Sequence, residues 1–141
     1  MRVFTRLTLA ALVLIPFSIA AEDKKDPIAK ELTGSYTKNA GDFKLTITFL
    51  KGSTVTFEML TDNGDGMILE GKSTVTKDKV SVETTKFTKK GNFPIEKEKG
   101  YKYSFRADIK AKAAFFTDFD GEGIDTEAKN LIEGEYAAVK K

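Results

Sequence analysis

The chain contains no cysteine, no histidine and no tryptophan. Without cysteine there are no disulfide staples, thiolate nucleophiles or thiolate-ligated metals, so packing alone must hold the fold. Without histidine there is no Ser-His-Asp or Cys-His relay, no histidine zinc site and no side chain that ordinarily exchanges protons near neutral pH. Arginine is almost missing too: beyond Arg2 and Arg6 only Arg106 remains, which argues against fork-type recognition of several phosphates. Carboxylates, lysine, tyrosine and hydroxyls are what is left for catalysis, and none forms a recognisable catalytic motif. The sequence reads as non-enzymatic.

The longest apolar run is confined to the start. Arg2 and Arg6 precede "LTLAALVLI" (7–15), Pro16 breaks it, and Ser18 and Ala20 satisfy the small-x-small cleavage rule. This pattern predicts an export signal over residues 1–20, too short for a membrane span. The expected product is a bacterial periplasmic or extracellular protein with no transmembrane segment in its mature chain. The precursor has 23 Lys plus Arg and 21 Asp plus Glu. Loss of the two leader arginines balances the charge, so nucleic acid is not an expected partner. Residues 21–31, charged and carrying Pro27, read as a flexible lead-in. Residues 32–141 are enough for one domain with its own core.

Within that domain the apolar period is two. Phe43, Leu45, Ile47 and Phe49 alternate with Lys44, Thr46 and Thr48, and Val55, Phe57 and Met59 alternate with Thr54, Thr56 and Glu58. Such runs are half-buried antiparallel strands. "KGS" (51–53), "DNGDG" (62–66) and "KDK" (77–79) are the hairpin turns between them. Val80 and Val82 alternate, but Phe87 falls out of phase, which predicts a bulge or a strand end near Thr85. Residues 88–99 read as a long polar connection. Tyr101, Tyr103, Phe105, Ala107 and Ile109 then form an inward face, whereas the doubled apolar residues of "AAFFTDF" (113–119) leave the next face ambiguous. Asp125 can cap a short helix that Gly134 could end, before a last strand.

"LTGSY" (32–36) and "IEGEY" (132–136) share an apolar-x-Gly-x-Tyr pattern at the two ends of the domain. First and last strands are neighbours in an up-and-down barrel, where closure removes both edges. The expected fold is therefore all-β: an antiparallel barrel of about eight strands with one short helix before the last, a β-sandwich being the alternative. The Gly34-Ser35-Tyr36 strand, the hairpins and the late helix together resemble the small exported lipocalin-like (calycin-type) barrels of bacteria. Those proteins usually have Trp where Tyr36 stands. The resemblance implies a binding barrel and transfers no particular binding residue.

Three groups of residues are candidates for function. Tyr36, Phe43, Phe49, Phe57, Tyr101, Tyr103, Phe105 and Tyr136 share the inward phase and would either line a cavity for an apolar ligand or fill it. "DFDGEGID" (118–125) begins like a calcium loop with Asp118, Asp120 and Glu122 at alternate positions. Its twelfth position is Lys129, a cation where calcium needs its bidentate carboxylate. A turn followed by the Asp125 cap accounts for these residues better, with calcium the only cofactor left open. Lastly, Lys86, Lys89, Lys90, Lys97, Lys99 and Lys102 surround a connection carrying Phe93 and Ile95, which could meet a partner. Glu58, Glu70, Glu83 and Asp108 fall on outward positions and read as solvated exterior. The function these features support is an exported, non-catalytic binding or interaction module whose partner is a small apolar ligand or another protein. A structural or envelope-accessory role is the alternative, ahead of a carboxylate-based hydrolase or a calcium-binding domain.

Overall fold

A computed structural model describes residues 32–94 and 100–141. The predicted export signal, the lead-in up to residue 31, and Ile95, Lys97 and Lys99 of the lysine-rich connection lie outside them. Among the described residues eight antiparallel strands run in chain order around a closed barrel: β1 (Gly34–Ala40), β2 (Phe43–Leu50), β3 (Thr54–Thr61), β4 (Gly66–Thr76), β5 (Lys79–Lys90), β6 (Lys102–Ile109), β7 (Ala113–Gly121) and β8 (Gly134–Ala138). One helix, α1 (Thr126–Ile132), connects β7 to β8. The sandwich alternative does not apply.

Alternation places the apolar residues inside. Leu45, Ile47, Phe49, Val55 and Phe57 of β2 and β3 are buried, while Lys44 and Leu50 of β2, Lys72 of β4 and Glu83 of β5 are exposed. Threonines on the outer face of β1 and β2 bond across the strands, with Ser35 Oγ to Thr48 Oγ1 at 3.0 Å. A polar exterior around an apolar interior is the reverse of the pattern in membrane-spanning barrels.

Two bulges set which residues reach the interior. Glu70 pairs with Lys86 but Gly71 pairs with Thr84, so Thr85 is the extra residue, and its Oγ1 donates to the Glu70 carbonyl at 3.2 Å. This is where the phase break between Val82 and Phe87 pointed. Gly71, across from the bulge, has no room for a side chain: a Cβ there would stand 2.6 Å from the Glu83 carbonyl oxygen and 2.8 Å from Val82 Cγ1. The second bulge resolves the "AAFFTDF" ambiguity. Register shifts between Ser104 and Arg106, and Asp118 adopts φ 53°, a left-handed conformation that Asp tolerates better than most residues. Ala114 and Phe116 are buried before this kink, and Phe119 is buried after it.

Some boundaries differ from the sequence reading. β5 continues to Lys90, taking in Thr88 and Lys89 from the expected connection, because the long β4 pairs them: Ile68 with Thr88, Met67 with Lys89 and Gly66 with Lys90. Tyr101 lies just ahead of β6, its carbonyl accepting from Thr84 N at 2.8 Å.

The barrel closes through Tyr36 opposite Ala138 and Thr37 opposite Ala137, extended by Val139 N donating to the Ser35 carbonyl at 2.8 Å. Tyr36 and Tyr136 both enter the core from the paired end strands. Phe116 stands edge-on to each of them, with ring centroids at 5.9 and 5.0 Å.

Candidate functional site

The interior divides into a filled part and a hollow part. Tyr36, Phe49, Phe105, Phe116 and Tyr136 form a continuous aromatic cluster. Phe105, Phe116 and Tyr136 have essentially no exposure. The offset and edge-on arrangement of such rings contributes roughly 0.5–1.5 kcal/mol per pair beyond burial. Nothing can bind there without displacing the core.

Helix α1 is fixed against this cluster by its last carbonyls. The Tyr136 hydroxyl donates to the Ile132 carbonyl at 2.6 Å, and Lys38 Nζ donates to the Leu131 carbonyl at 3.1 Å and also to that of Glu133. Lys38 is inward in phase on β1, half-buried, and its ammonium sits 5.8 Å from the centre of the Tyr136 ring. A cation at the helix C-terminus answers both the unpaired carbonyls and the dipole. The Glu133 carboxylate turns back to accept from Phe119 N at 2.9 Å, an amide the Asp118 bulge leaves outside the ladder. At the other end Asp125 caps the helix by accepting from Ala128 N at 2.8 Å, as the sequence suggested.

Beyond the aromatic cluster, under α1, lies a cavity of about 320 Å³. Its barrel wall is Phe57 and Met59 of β3, Met67 and Leu69 of β4, Phe87 of β5, Tyr101, Tyr103 of β6 and Phe119 of β7. Ile124, Ala128, Leu131 and Ile132 close it from the helix side, and Glu122 and Gly123 reach its edge. The volume falls within the range of sites for small organic ligands, and the lining has their usual apolar and aromatic character. Depressions on the outer wall are larger, about 420 Å³ beside Lys72, Glu83 and Lys102 and about 580 Å³ beside Asp78, Arg106 and Lys110, but they are open and lined by charged side chains.

Of the eight aromatic candidates, Phe57, Tyr101 and Tyr103 line the cavity. Tyr36, Phe49, Phe105 and Tyr136 pack the filled half. Phe43 is half-buried, with Phe93 edge-on to it at 6.1 Å, so the aromatic of the lysine-rich connection is tucked against the barrel end. The residues that complete the cavity, Met59, Met67, Leu69, Phe87, Phe119, Ile124 and Leu131, are not among the sequence candidates. Met59, Met67 and Leu69 do carry a readable signal in their inward phase. The helix residues carry none until the position of α1 is known.

The calcium candidates are spread along a strand end. Asp118 lies in the β7 bulge and pairs with Arg106 Nε at 3.2 Å, Asp120 is an exposed β7 residue opposite Ser104, and Glu122 follows in the turn. That turn is closed by Ile124 N donating to the Gly121 carbonyl at 3.3 Å. Among the described residues no group of three or more acidic side chains is arranged to hold a metal ion.

Burial raises the phenol pKa of Tyr36, Tyr103 and Tyr136 above its ordinary value. Tyr136 has its carbonyl partner. The Tyr103 hydroxyl is enclosed without a hydrogen-bond partner among the described residues, and so is that of Thr84 on the neighbouring strand. No helix among the described residues is long and apolar enough to cross a membrane. Comparison with known proteins finds no family model, no curated protein and no solved structure that matches the chain.

Proposed function

We propose that this protein is an exported, non-catalytic barrel of lipocalin-like type that binds a small, largely apolar molecule between its inner wall and helix α1. The observation that carries the reading is the cavity of about 320 Å³ lined almost wholly by apolar and aromatic side chains. Fold alone implies no function. Hollowness where the rest of the barrel is packed with rings is a property of this particular chain. A protein-partner role has weaker support: among the described residues Leu50 and Val139 are the exposed large apolar ones, and singly scattered ones are ordinary on protein surfaces.

Two measurements test this. Native mass spectrometry of protein purified from its own host is expected to show a retained small molecule, on a chain beginning at Ala21 or Glu22. In vitro, N-phenyl-1-naphthylamine should brighten on binding to ligand-stripped protein, and Ala128→Phe, which fills the space under α1, should abolish the signal. Absence of both a co-purified molecule and an Ala128→Phe-sensitive signal refutes the reading.

A further inference from the structure

The cavity is apolar, yet Tyr103, one of the residues lining it, carries a polar group without a partner among the described residues. Tyr103 enters from β6, and its ring forms part of the wall and stacks on Phe105 at 6.2 Å and 17°. Its hydroxyl is shut off from solvent and makes no hydrogen bond to them. Buried hydroxyls are nearly always paired, because an unpaired one is destabilising. Tyr136 shows that this fold pairs a buried phenol where it is purely structural. Thr84 Oγ1 is also unpartnered among the described residues, but Thr84 is not part of the cavity lining.

Charge narrows the choice further. None of the described residues lining the cavity is cationic, and the one carboxylate, Glu122, stands at its edge. An anionic ligand would lose its hydration with no counter-charge and would face a like charge. About 320 Å³ is the liquid share of roughly ten waters, which suits a ligand of roughly ten to seventeen non-hydrogen atoms. Resting on the binding reading above, we propose that the cavity selects uncharged ligands of this size that carry one hydrogen-bond-accepting oxygen, and that the Tyr103 hydroxyl is the donor that recognises it. Because burial keeps the phenol protonated, it remains a donor throughout the physiological range. Met59 and Met67 line the same space, and their flexible thioether chains can yield as the oxygen reaches the hydroxyl.

The test is displacement of N-phenyl-1-naphthylamine at pH 8 by 2-decanone, butylbenzene and decanoate, on the wild-type protein and on Tyr103→Phe. The ketone should displace the dye from the wild type at about tenfold lower concentration than decanoate. Tyr103→Phe should weaken the ketone about three- to tenfold, as expected for one lost hydrogen bond, and leave butylbenzene within about twofold. Decanoate matching the ketone, or an equal loss for ketone and hydrocarbon, overturns the proposal while the binding reading stands. Dye that never binds in an Ala128→Phe-sensitive way overturns both.

Discussion

Removing one oxygen atom from each of two buried tyrosines should shift stability in opposite directions. The Tyr136 hydroxyl lies in a site with no exposure and donates to the Ile132 carbonyl at 2.6 Å. Tyr136→Phe leaves that carbonyl at the end of α1 without its partner, which costs about 1–3 kcal/mol. The Tyr103 hydroxyl has no bond to lose among the described residues, so Tyr103→Phe removes only an unpaired polar group and should stabilise the ligand-free protein by about 1 kcal/mol. The two variants, identical in composition, should then differ by about 2–4 kcal/mol. For a domain of this size that corresponds to a separation in Tm of roughly 8–20 °C. Urea unfolding followed by far-ultraviolet circular dichroism at pH 7 gives the free energies, and unchanged m-values would show that the denatured state is not responsible. Destabilisation of Tyr103→Phe by as much as Tyr136→Phe would refute the assignment of the Tyr103 hydroxyl as unpaired. A gain in stability coupled to weaker ketone binding would mark Tyr103 as a position where the fold gives up stability for recognition.

Lys38→Met should lose about 1.5–3 kcal/mol, since a charged donor to the Leu131 and Glu133 carbonyls is removed. Hydrogen exchange should show residues 126–132 losing protection before the strands do. Gly66→Ala should destabilise by about 1–3 kcal/mol or more in thermal melts, because its Cβ would stand 1.9 Å from the Met59 carbonyl oxygen and the β3–β4 ladder must shift. At high pH the sign follows from the raised phenol pKa values of Tyr36, Tyr103 and Tyr136. Their stabilising contribution is complete below the unfolded value of 10.0 and is lost as pH climbs above it. Tyrosinate absorbance should therefore rise together with loss of β-structure in an alkaline titration, and full ionisation of a still-folded barrel would contradict this.

Much of the barrel was legible because its information is local. Alternation in "FKLTITFL" and the glycine-bearing turns fixed the hairpins, and Phe87 out of phase with Val82 located the Thr85 bulge. The β7 bulge was not legible, because nothing in "FFTDFDG" announces that Asp118 rather than a glycine takes the positive φ. The rhyme of the two Gly-x-Tyr segments correctly joined the ends, with Tyr36 opposite Ala138 and Phe116 edge-on to both Tyr36 and Tyr136. For the site, inward phase identified which side chains reach the interior without saying where they fall short of meeting. That depends on the height at which α1 is held, and hence on Lys38, an inward lysine that strand periodicity would assign to an error rather than to a helix anchor. Tyr101 and Tyr103 were separable from Phe105 only once the packing of Phe119 against Phe105, 4.9 Å between centroids, was known.

Seven of the eight strand junctions join consecutive segments, whereas the seam between β1 and β8 rests on just two register pairs spanning the length of the domain. Assembly can thus proceed hairpin by hairpin from the start of the domain, but the ring cannot shut until its final strand is at hand. Loop closure over so long a stretch is slow compared with hairpin formation. During that interval the outer edge of β1 stays unsatisfied, a template for mispairing with other chains. The vulnerable period in the life of this protein is accordingly the wait for β8.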